Sequence, residues 1–207
     1  MVPAARDRRP AVVAASVSRM RLGRLAAPLL ALALVATLTT AADARDDRWV
    51  FYTKDKTYYT SPWFQGAHRI MIPFGCTRAP YYSPDPRCRD DRGFHHGIDV
   101  AMPCGTPLYA RFRLRVLPHD SLGSAYGDNP VLLRNRKKGF DLVIGHTRRV
   151  YVRPGDMVKR GTMFARANDR GAPDGCHLHF EKRAVQGGLS TAVKPRRLLA
   201  LTPREKS

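Results

Sequence analysis

A strict alternation of apolar and charged residues limits the folds open to this chain. Apolar residues occupy every second position from Ala110 to Val116, and an arginine lies between each of them and the next: the apolar residues are Ala110, Phe112, Leu114 and Val116. Successive side chains of a β-strand point to opposite faces, so this pattern predicts a strand with one buried and one solvated face. The stretches Pro130–Arg134 and Phe140–Ile144 flank a turn-like Lys-Lys-Gly and predict a β-hairpin.

Helical patterns are nearly absent from the remaining sequence. After residue 44, only Pro195–Leu201 has the character of a short helical turn. The sequence therefore predicts an all-β fold, with an antiparallel, barrel-like sheet in a single domain with long loops.

The first 44 residues have the order of an export signal with a long basic lead. Six arginines precede an apolar run from Leu25 to Leu38, and small residues follow. The run is shorter than the roughly 20 residues that span a bilayer, so an uncleaved anchor is the weaker alternative. We expect cleavage after Ala44, with Ala42 as the alternative, and no membrane span afterwards. Residues 45–70 then form an aromatic N-terminal extension, residues 71–200 the main domain and residues 201–207 a tail.

Export changes the meaning of the cysteines, because an oxidising compartment favours disulfides over thiols. The chain has four of them: Cys76, Cys88, Cys104 and Cys176. Four cysteines allow three pairings, and the sequence alone does not choose among them. We favour Cys76 with Cys88 and Cys104 with Cys176, bridges worth about 3 and about 4 kcal/mol in the chain-entropy model. Four reduced thiols, the alternative, would fit a cytosolic protein.

The chain is strongly basic, with a net charge of +19 that stays near +15 once residues 1–44 are removed. The basic residues are dispersed and no nucleic-acid-binding motif is present, so we do not expect nucleic acid as a partner. An exported basic protein is better matched to anionic cell-wall polymers. We expect it to act as a monomer outside the cytoplasm, in the periplasm or the cell wall.

The segment Gly175–Glu181, GCHLHFE, places two histidines two residues apart. In a strand, His177 and His179 share one face, and the two apolar residues beside them point into the core. A single His-x-His is more often accidental than functional, so a second motif is needed to indicate a site.

The segment Gly93–Val100, GFHHGIDV, supplies that second motif. If it forms a strand, His95 and Asp99 share a face, whereas His96 lies on the opposite one. Gly97 between them would leave a gap for a metal ion. The alternative for His95 and Asp99 alone is a surface ion pair.

Two imidazoles and one carboxylate with an open fourth position are typical of a catalytic zinc site. A competing interpretation is a closed structural zinc site built from two cysteines and two histidines: Cys104, Cys176, His177 and His179. It lacks a Cys-x-x-Cys spacing, conflicts with export and leaves His95 and Asp99 unused.

These motifs resemble the lysostaphin-type (LytM-like) zinc endopeptidases, which cut peptide bonds in bacterial peptidoglycan. The resemblance covers about residues 71–182. Its segments follow the family order: HHGIDVAMPCGTPLYA (95–110), YGDNPVLL (126–133), IGH (144–146), VRPGDMVKRG (152–161) and CHLHFE (176–181). The resemblance implies that His95, Asp99 and His179 are zinc ligands, and that His146 and His177 are catalytic neighbours of the metal.

The resemblance also implies a function, zinc-assisted hydrolysis of amide bonds in peptidoglycan peptides. Glu181 shares the face of the two strand histidines and would orient an imidazole, or else be an ordinary solvated or ion-paired glutamate. Two segments depart from the family pattern, the proline-rich stretch before His95 and Ala167–Gly175, and both would border the cleft. A non-catalytic wall-binding or activator protein and a zinc carboxypeptidase of wall peptides stay open as alternatives.

Overall fold

The computed structural model of the protein describes residues 49–204. The expected signal peptide, residues 1–44, lies outside the described residues. Within them, the regular structure consists of short strands and one four-residue helix, α1 (Arg196–Leu199). The strands are β1 (Tyr58–Ser61), β2 (Phe64–Ile72), β3 (Gly75–Thr77), β4 (Gly93–His95), β5 (Ile98–Ala101), β6 (Pro107–Tyr109), β7 (Leu114–Leu117), β8 (Val131–Asn135), β9 (Phe140–Gly145), β10 (Thr147–Arg148), β11 (Met157–Val158), β12 (Met163–Ala167), β13 (His177–Arg183) and β14 (Thr202–Pro203).

Twelve of these strands form one curled antiparallel sheet. Ten follow the order β10-β12-β6-β2-β5-β13-β9-β8-β7-β11, and β1 joins β2 and β14 beside them. Strands β3 and β4 form a separate two-stranded sheet. The predicted all-β, antiparallel fold is therefore confirmed, and β13 lies near the middle of the large sheet.

The predicted hairpin is the pair β8 and β9, in which Leu133 lies opposite Leu142. The predicted helical turn is α1, and its residue Leu199 is fully buried. No helix among residues 49–204 is long and apolar enough to cross a membrane.

The alternating stretch at residues 110–116 is not one strand. Strand β6 ends at Tyr109 and pairs with β12 and β2, whereas β7 begins at Leu114 and pairs with β8 and β11. The chain bends between them and passes from one part of the curled sheet to another. Phe112 marks the bend, and its ring packs 6.1 Å from Trp63 and 6.3 Å from Phe140.

Three of the aromatic residues before position 70, namely Tyr59, Trp63 and Phe64, belong to the buried core of the large sheet. Trp63 is 1% exposed, and its ring lies 4.9 Å from that of Phe180 in the central strand β13. Strand β2 continues across residue 70, where we expected the extension to end. The two disulfides join Cys76 to Cys88 and Cys104 to Cys176, which is the pairing favoured from the sequence.

Candidate active site

Strand β13 carries both histidines of the His-x-His motif. Leu178 and Phe180 are buried in the core, and His177 and His179 point to the other side of the sheet, as the alternation predicts. The strand pairs with β5 so that His179 lies directly opposite Asp99. The sheet register alone thus brings one imidazole and one carboxylate together.

His95 reaches the same point by a different route from the one expected. The segment Gly93–Val100 is not a continuous strand, because β4 ends at His95 and β5 begins at Ile98. Strand β4 pairs with β3 rather than with the large sheet, and the bend between β4 and β5 turns His95 back over Asp99. The His95 Nε2 atom lies 3.3 Å from Asp99 Oδ1.

Three potential ligand atoms form a compact triangle. His179 Nδ1 lies 2.9 Å from Asp99 Oδ1 and 3.2 Å from His95 Nε2. Tetrahedral zinc with bonds of about 2.0–2.2 Å requires ligand atoms roughly 3.3 Å apart. The separations and the two-nitrogen, one-oxygen donor set therefore fit a metal site formed by His95, Asp99 and His179.

The outward-facing ring nitrogens of the two histidines have acceptors that fix their tautomers. His95 Nδ1 lies 3.1 Å from the Pro73 carbonyl oxygen, which can only accept a hydrogen bond. His179 Nε2 lies 3.3 Å from Glu181 Oε2. When each ring carries a single proton, these contacts hold that proton on the outward nitrogen, so the lone pairs of His95 Nε2 and His179 Nδ1 are available to a shared ion.

Glu181 is held by a second layer of contacts that the sequence interpretation missed. Arg183 donates from Nε to Glu181 Oε1 and from Nη2 to the Tyr126 hydroxyl at 2.6 Å. Tyr126 in turn donates to Glu181 Oε2 at 3.0 Å. Arg183 follows Glu181 by two residues on the same strand, so the parity used for His177 and His179 would have found it.

Gly97 does not provide the gap for an ion that we expected. A Cβ atom at this position would lie 2.6 Å from Cε1 and 2.9 Å from Nε2 of His179. On the other side of the ring, a Cβ atom at Gly145 would lie 3.0 Å from His179 Cβ. The two glycines therefore make room for the imidazole of His179, not for the metal.

Burial disfavours the charged forms of Asp99, His179 and Glu181, but hydrogen bonds and opposite charges nearby favour those forms more strongly. Burial would raise the pKa of Asp99, yet the neighbouring imidazoles, His95 foremost, lower it well below its ordinary value. Burial would lower the pKa of His179, whereas the hydrogen bond and charge of Asp99 raise it to about 9. Burial would also raise the pKa of Glu181, but His179 and then Arg183 lower it to about 2.

The remaining two histidines face the same site without belonging to the triangle. His177 Nδ1 lies 2.9 Å from the Gly175 carbonyl and His146 Nδ1 lies 3.0 Å from the Arg170 carbonyl, so both Nδ1 atoms carry the proton. Their rings lie 4.3 Å apart. His177 Nε2 is buried without a hydrogen-bond partner among the described residues, 3.8 Å from Asp99 Oδ2.

His146 follows β9 in a left-handed backbone conformation with a φ of 51°. This conformation is rare for a residue with a side chain and is concentrated at functional sites. Burial, followed by the neighbouring His177, lowers the pKa of His146 to about 3. The imidazole is thus neutral at ordinary pH, with the lone pair of Nε2 free to accept a proton or a hydrogen bond.

The two segments that depart from the family pattern form walls of a cavity of about 240 Å³ beside these histidines. Tyr81 and Tyr82 come from the loop stapled by Cys76 and Cys88, and Asp174 comes from the segment before Cys176. The Tyr81 hydroxyl donates to Asp174 Oδ2 at 2.5 Å and joins the two walls. The tyrosines and Asp174 were not predicted as site residues, because a loop gives no periodic signal.

The competing closed zinc site does not form in this structure. Cys104 and Cys176 are joined in a disulfide, so their sulfur atoms are not available as thiolate ligands. His177 and His179 instead face Asp99.

Comparison with known proteins identifies a family for the part of the chain that contains the metal triangle, His146 and His177. Residues 93–195 match the model of peptidase family M23. Peptidoglycan DD-endopeptidase ShyA of Vibrio cholerae is 30% identical over 100 residues, which cover 48% of this chain and 22% of that protein. This chain therefore matches only about a fifth of the length of that curated relative.

Solved structures show the same fold. LytU is 27% identical, with a TM-score of 0.53 over 65% of this chain and 86% of that chain. The catalytic domain of lysostaphin from Staphylococcus simulans is 23% identical, with a TM-score of 0.52 over 64% of this chain and 92% of that chain. The lysostaphin-type fold expected from the motifs is therefore confirmed.

Proposed function

Since the chain belongs to peptidase family M23, we propose that it is an exported, zinc-dependent endopeptidase that hydrolyses peptide bonds in bacterial peptidoglycan. One observation carries the proposal: His95 Nε2, Asp99 Oδ1 and His179 Nδ1 lie within 3.3 Å of one another. Beside them, two further imidazoles present unprotonated nitrogens, which a site that only bound metal would not need.

His95, Asp99 and His179 would hold the zinc ion. When bound, zinc supplies a Lewis acid that polarises a peptide carbonyl and lowers the pKa of a water molecule. Glu181 and the Pro73 carbonyl keep the two ligand imidazoles in the tautomers that binding requires.

His177 is the better placed of the two remaining histidines to act as general base. Its Nε2 atom has a free lone pair that can accept a proton, and it lies 3.8 Å from Asp99 Oδ2 at the edge of the metal triangle. His146 has a pKa of about 3, so it holds a proton poorly and acts by orienting the attacking water.

The proposed location outside the cytoplasm and the proposed peptidoglycan substrate are supported by different observations. Two disulfides fit an oxidising compartment outside the cytoplasm, as the expected export signal does. The relative ShyA is described as a peptidoglycan DD-endopeptidase, and the peptide bonds of that polymer are the corresponding substrate class here.

A zinc carboxypeptidase is the second candidate, and one contact favours it. The Tyr81–Asp174 hydrogen bond joins the two cavity walls beside His177 and narrows that side for a continuing peptide chain. An endopeptidase cuts within a peptide and releases fragments, whereas a carboxypeptidase releases single terminal residues.

Mass analysis of the products tests the proposal. The purified protein, loaded with zinc, is incubated with defined peptidoglycan fragments that contain cross-linked and linear peptides. We expect cleavage at an internal bond and a new amino group for each cut. Release of single C-terminal residues alone would favour the carboxypeptidase, and the absence of products from every fragment would contradict both enzymes.

A further inference from the structure

A second concave surface lies apart from the candidate active site. This surface, the basic groove, has a volume of about 770 Å³ and is bordered by five exposed cationic residues: Arg113, Arg115, Arg136, Lys137 and Lys138. Strand β7 and the residue before it supply two of them, and the turn between β8 and β9 supplies the other three. The groove is separated from β13, the strand of the metal site, by β9.

The positive charge of the groove is not balanced within the described residues. The neighbouring Arg134 is paired with Asp141 at 2.7 Å, but none of the five bordering cations takes part in an ion pair among residues 49–204. Asp156 lies next to the groove residue Met157, and its carboxylate accepts the backbone N–H of Arg153. Arg115 lies directly opposite Arg134 across the two strands, and Asp141 balances only Arg134 of this pair.

The arrangement of these charges favours an extended anionic chain over a single small anion. Cations face the groove from two sides, so successive charges of a linear polymer can be contacted along its length. Guanidinium groups bind phosphate oxygens through two parallel hydrogen bonds, and ammonium groups bind them as point charges. Between the charged borders, the exposed side chain of Met157 offers apolar contact to the uncharged part of each unit.

Two other polyanionic partners fit the groove less well. Single-stranded nucleic acid binds through exposed aromatic rings on which bases stack. The one aromatic ring here, Phe112, packs against Trp63 and Phe140, with Lys138 Nζ 4.7 Å from its centroid. A membrane surface is flat and contacts protruding groups, whereas these cations border a concavity.

We propose that the basic groove binds a linear phosphodiester polymer of the cell envelope, with polyol or sugar units between its phosphates. The placement of the ligand in the envelope rests on the proposed function. Binding there would hold the enzyme at the wall while the site on β13 meets peptide substrates.

The test uses a fluorescent poly(glycerol phosphate) oligomer as the probe at physiological salt. In the groove variant Lys137→Glu/Lys138→Glu, two cations that border the groove become anions. The control variant Lys54→Glu/Lys56→Glu changes the net charge equally at two exposed residues elsewhere. We expect the groove variant to bind the oligomer at least about tenfold more weakly than the wild type, and the control to stay within about twofold.

Equal weakening in both variants would overturn the proposal, because it would show that net charge alone attracts the polymer. No binding by the wild type would also overturn it. Single-stranded DNA of matched charge and phosphatidylglycerol vesicles serve as competitors, and tighter groove-dependent binding of either would assign the groove to that partner instead. The milder variant Arg113→Gln/Arg136→Gln must reproduce the loss in protein whose thermal unfolding matches the wild type, and failure to do so also overturns the proposal.

Hydrolysis of a short soluble peptidoglycan peptide separates this proposal from the proposed function. The groove variant should keep the wild-type rate on that peptide within about twofold, since its substitutions lie outside the active site, and lose activity on intact phosphate-bearing walls. A wild-type protein that binds the oligomer but cleaves no peptide would contradict the proposed function and leave the groove proposal intact.

Discussion

At the scale of single residues, His177 presents the most informative atom of the site. Its Nε2 is buried, lacks a hydrogen-bond partner among the described residues and lies beside the carboxylate of Asp99. Since no described residue uses this lone pair, the atom is available to accept a proton during catalysis.

Replacing His177 should therefore separate catalysis from metal binding. We expect His177→Ala to lower kcat by about 10²–10⁴-fold, the usual contribution of a general base, while zinc content stays near that of the wild type. His179→Ala is the matched variant on the same strand and should lose both zinc and activity. Peptide cleavage with zinc analysis checks this, and full activity in His177→Ala would refute the assigned role.

Metal binding should depend on pH through His179. Asp99 raises the pKa of His179 to about 9, so a bound cation must displace a proton at lower pH. Asp99 itself is already ionised, since its pKa is well below the ordinary value. Competition against a chelator should show zinc affinity falling about tenfold per pH unit on acidification below pH 9. A flat profile between pH 7 and 9 would mean that His179 carries no proton to displace.

Gly97 tests the packing around the same imidazole. An added Cβ in Gly97→Ala would overlap the His179 ring at 2.6 Å, so the ring must move and zinc affinity should fall by at least about tenfold. Gly123→Ala is a suitable control, because a Cβ at that position meets nothing within 4 Å. Equal zinc affinities in the two variants, measured by chelator competition, would contradict the packing role of Gly97.

At the scale of elements, the stapled loop between Cys76 and Cys88 forms one wall of the active-site cavity. Removing the disulfide with Cys76→Ser/Cys88→Ser should cost about 3 kcal/mol of stability. Without the disulfide, the loop that carries Tyr81 and Tyr82 should hold the cavity wall less firmly, so KM for peptides should rise. Tyr81→Phe removes the bond to Asp174 while keeping the staple, so it should raise KM with little loss of stability. Unchanged KM in both variants would show that the wall does not contact substrate.

The alternation of apolar and polar residues correctly predicted strands that pair with a neighbour in sequence or keep the same pairing partners along their length. The hairpin of β8 and β9 and the inward and outward sides of β13 follow directly from it. It failed at residues 110–116 and at Gly93–Val100, where apolar and polar positions still alternate but the chain changes pairing partners. Periodicity reports which side chains are buried, and it carries no information about where a strand bends to join another sheet.

Because periodicity says nothing about contacts between distant segments, the sequence could predict only those site residues that belong to short motifs. His95, Asp99, His177 and His179 belong to short motifs, and the structure brings them together with His146. Tyr81 and Asp174 are 93 positions apart on irregular loops, so their contact exists only in the folded chain.

At the scale of the whole molecule, the curled sheet serves two surfaces on either side of β9. The metal triangle and the two neighbouring histidines lie on β4, β5, β13 and the residue after β9. The basic groove lies along β7, β8 and the turn after β8. Because each surface is built on different strands, substitutions in one should leave the function of the other largely unchanged.

The central claim is that one zinc ion is held by two imidazoles and one carboxylate drawn from separate parts of the chain. X-ray diffraction from the zinc-loaded protein, recorded on both sides of the zinc absorption edge, locates the metal and its ligands directly. We predict a single anomalous peak at about 2.0–2.2 Å from His95 Nε2, Asp99 Oδ1 and His179 Nδ1. A peak bonded to His177 or to a cysteine sulfur, or one that lacks any of the three ligands, would contradict the account.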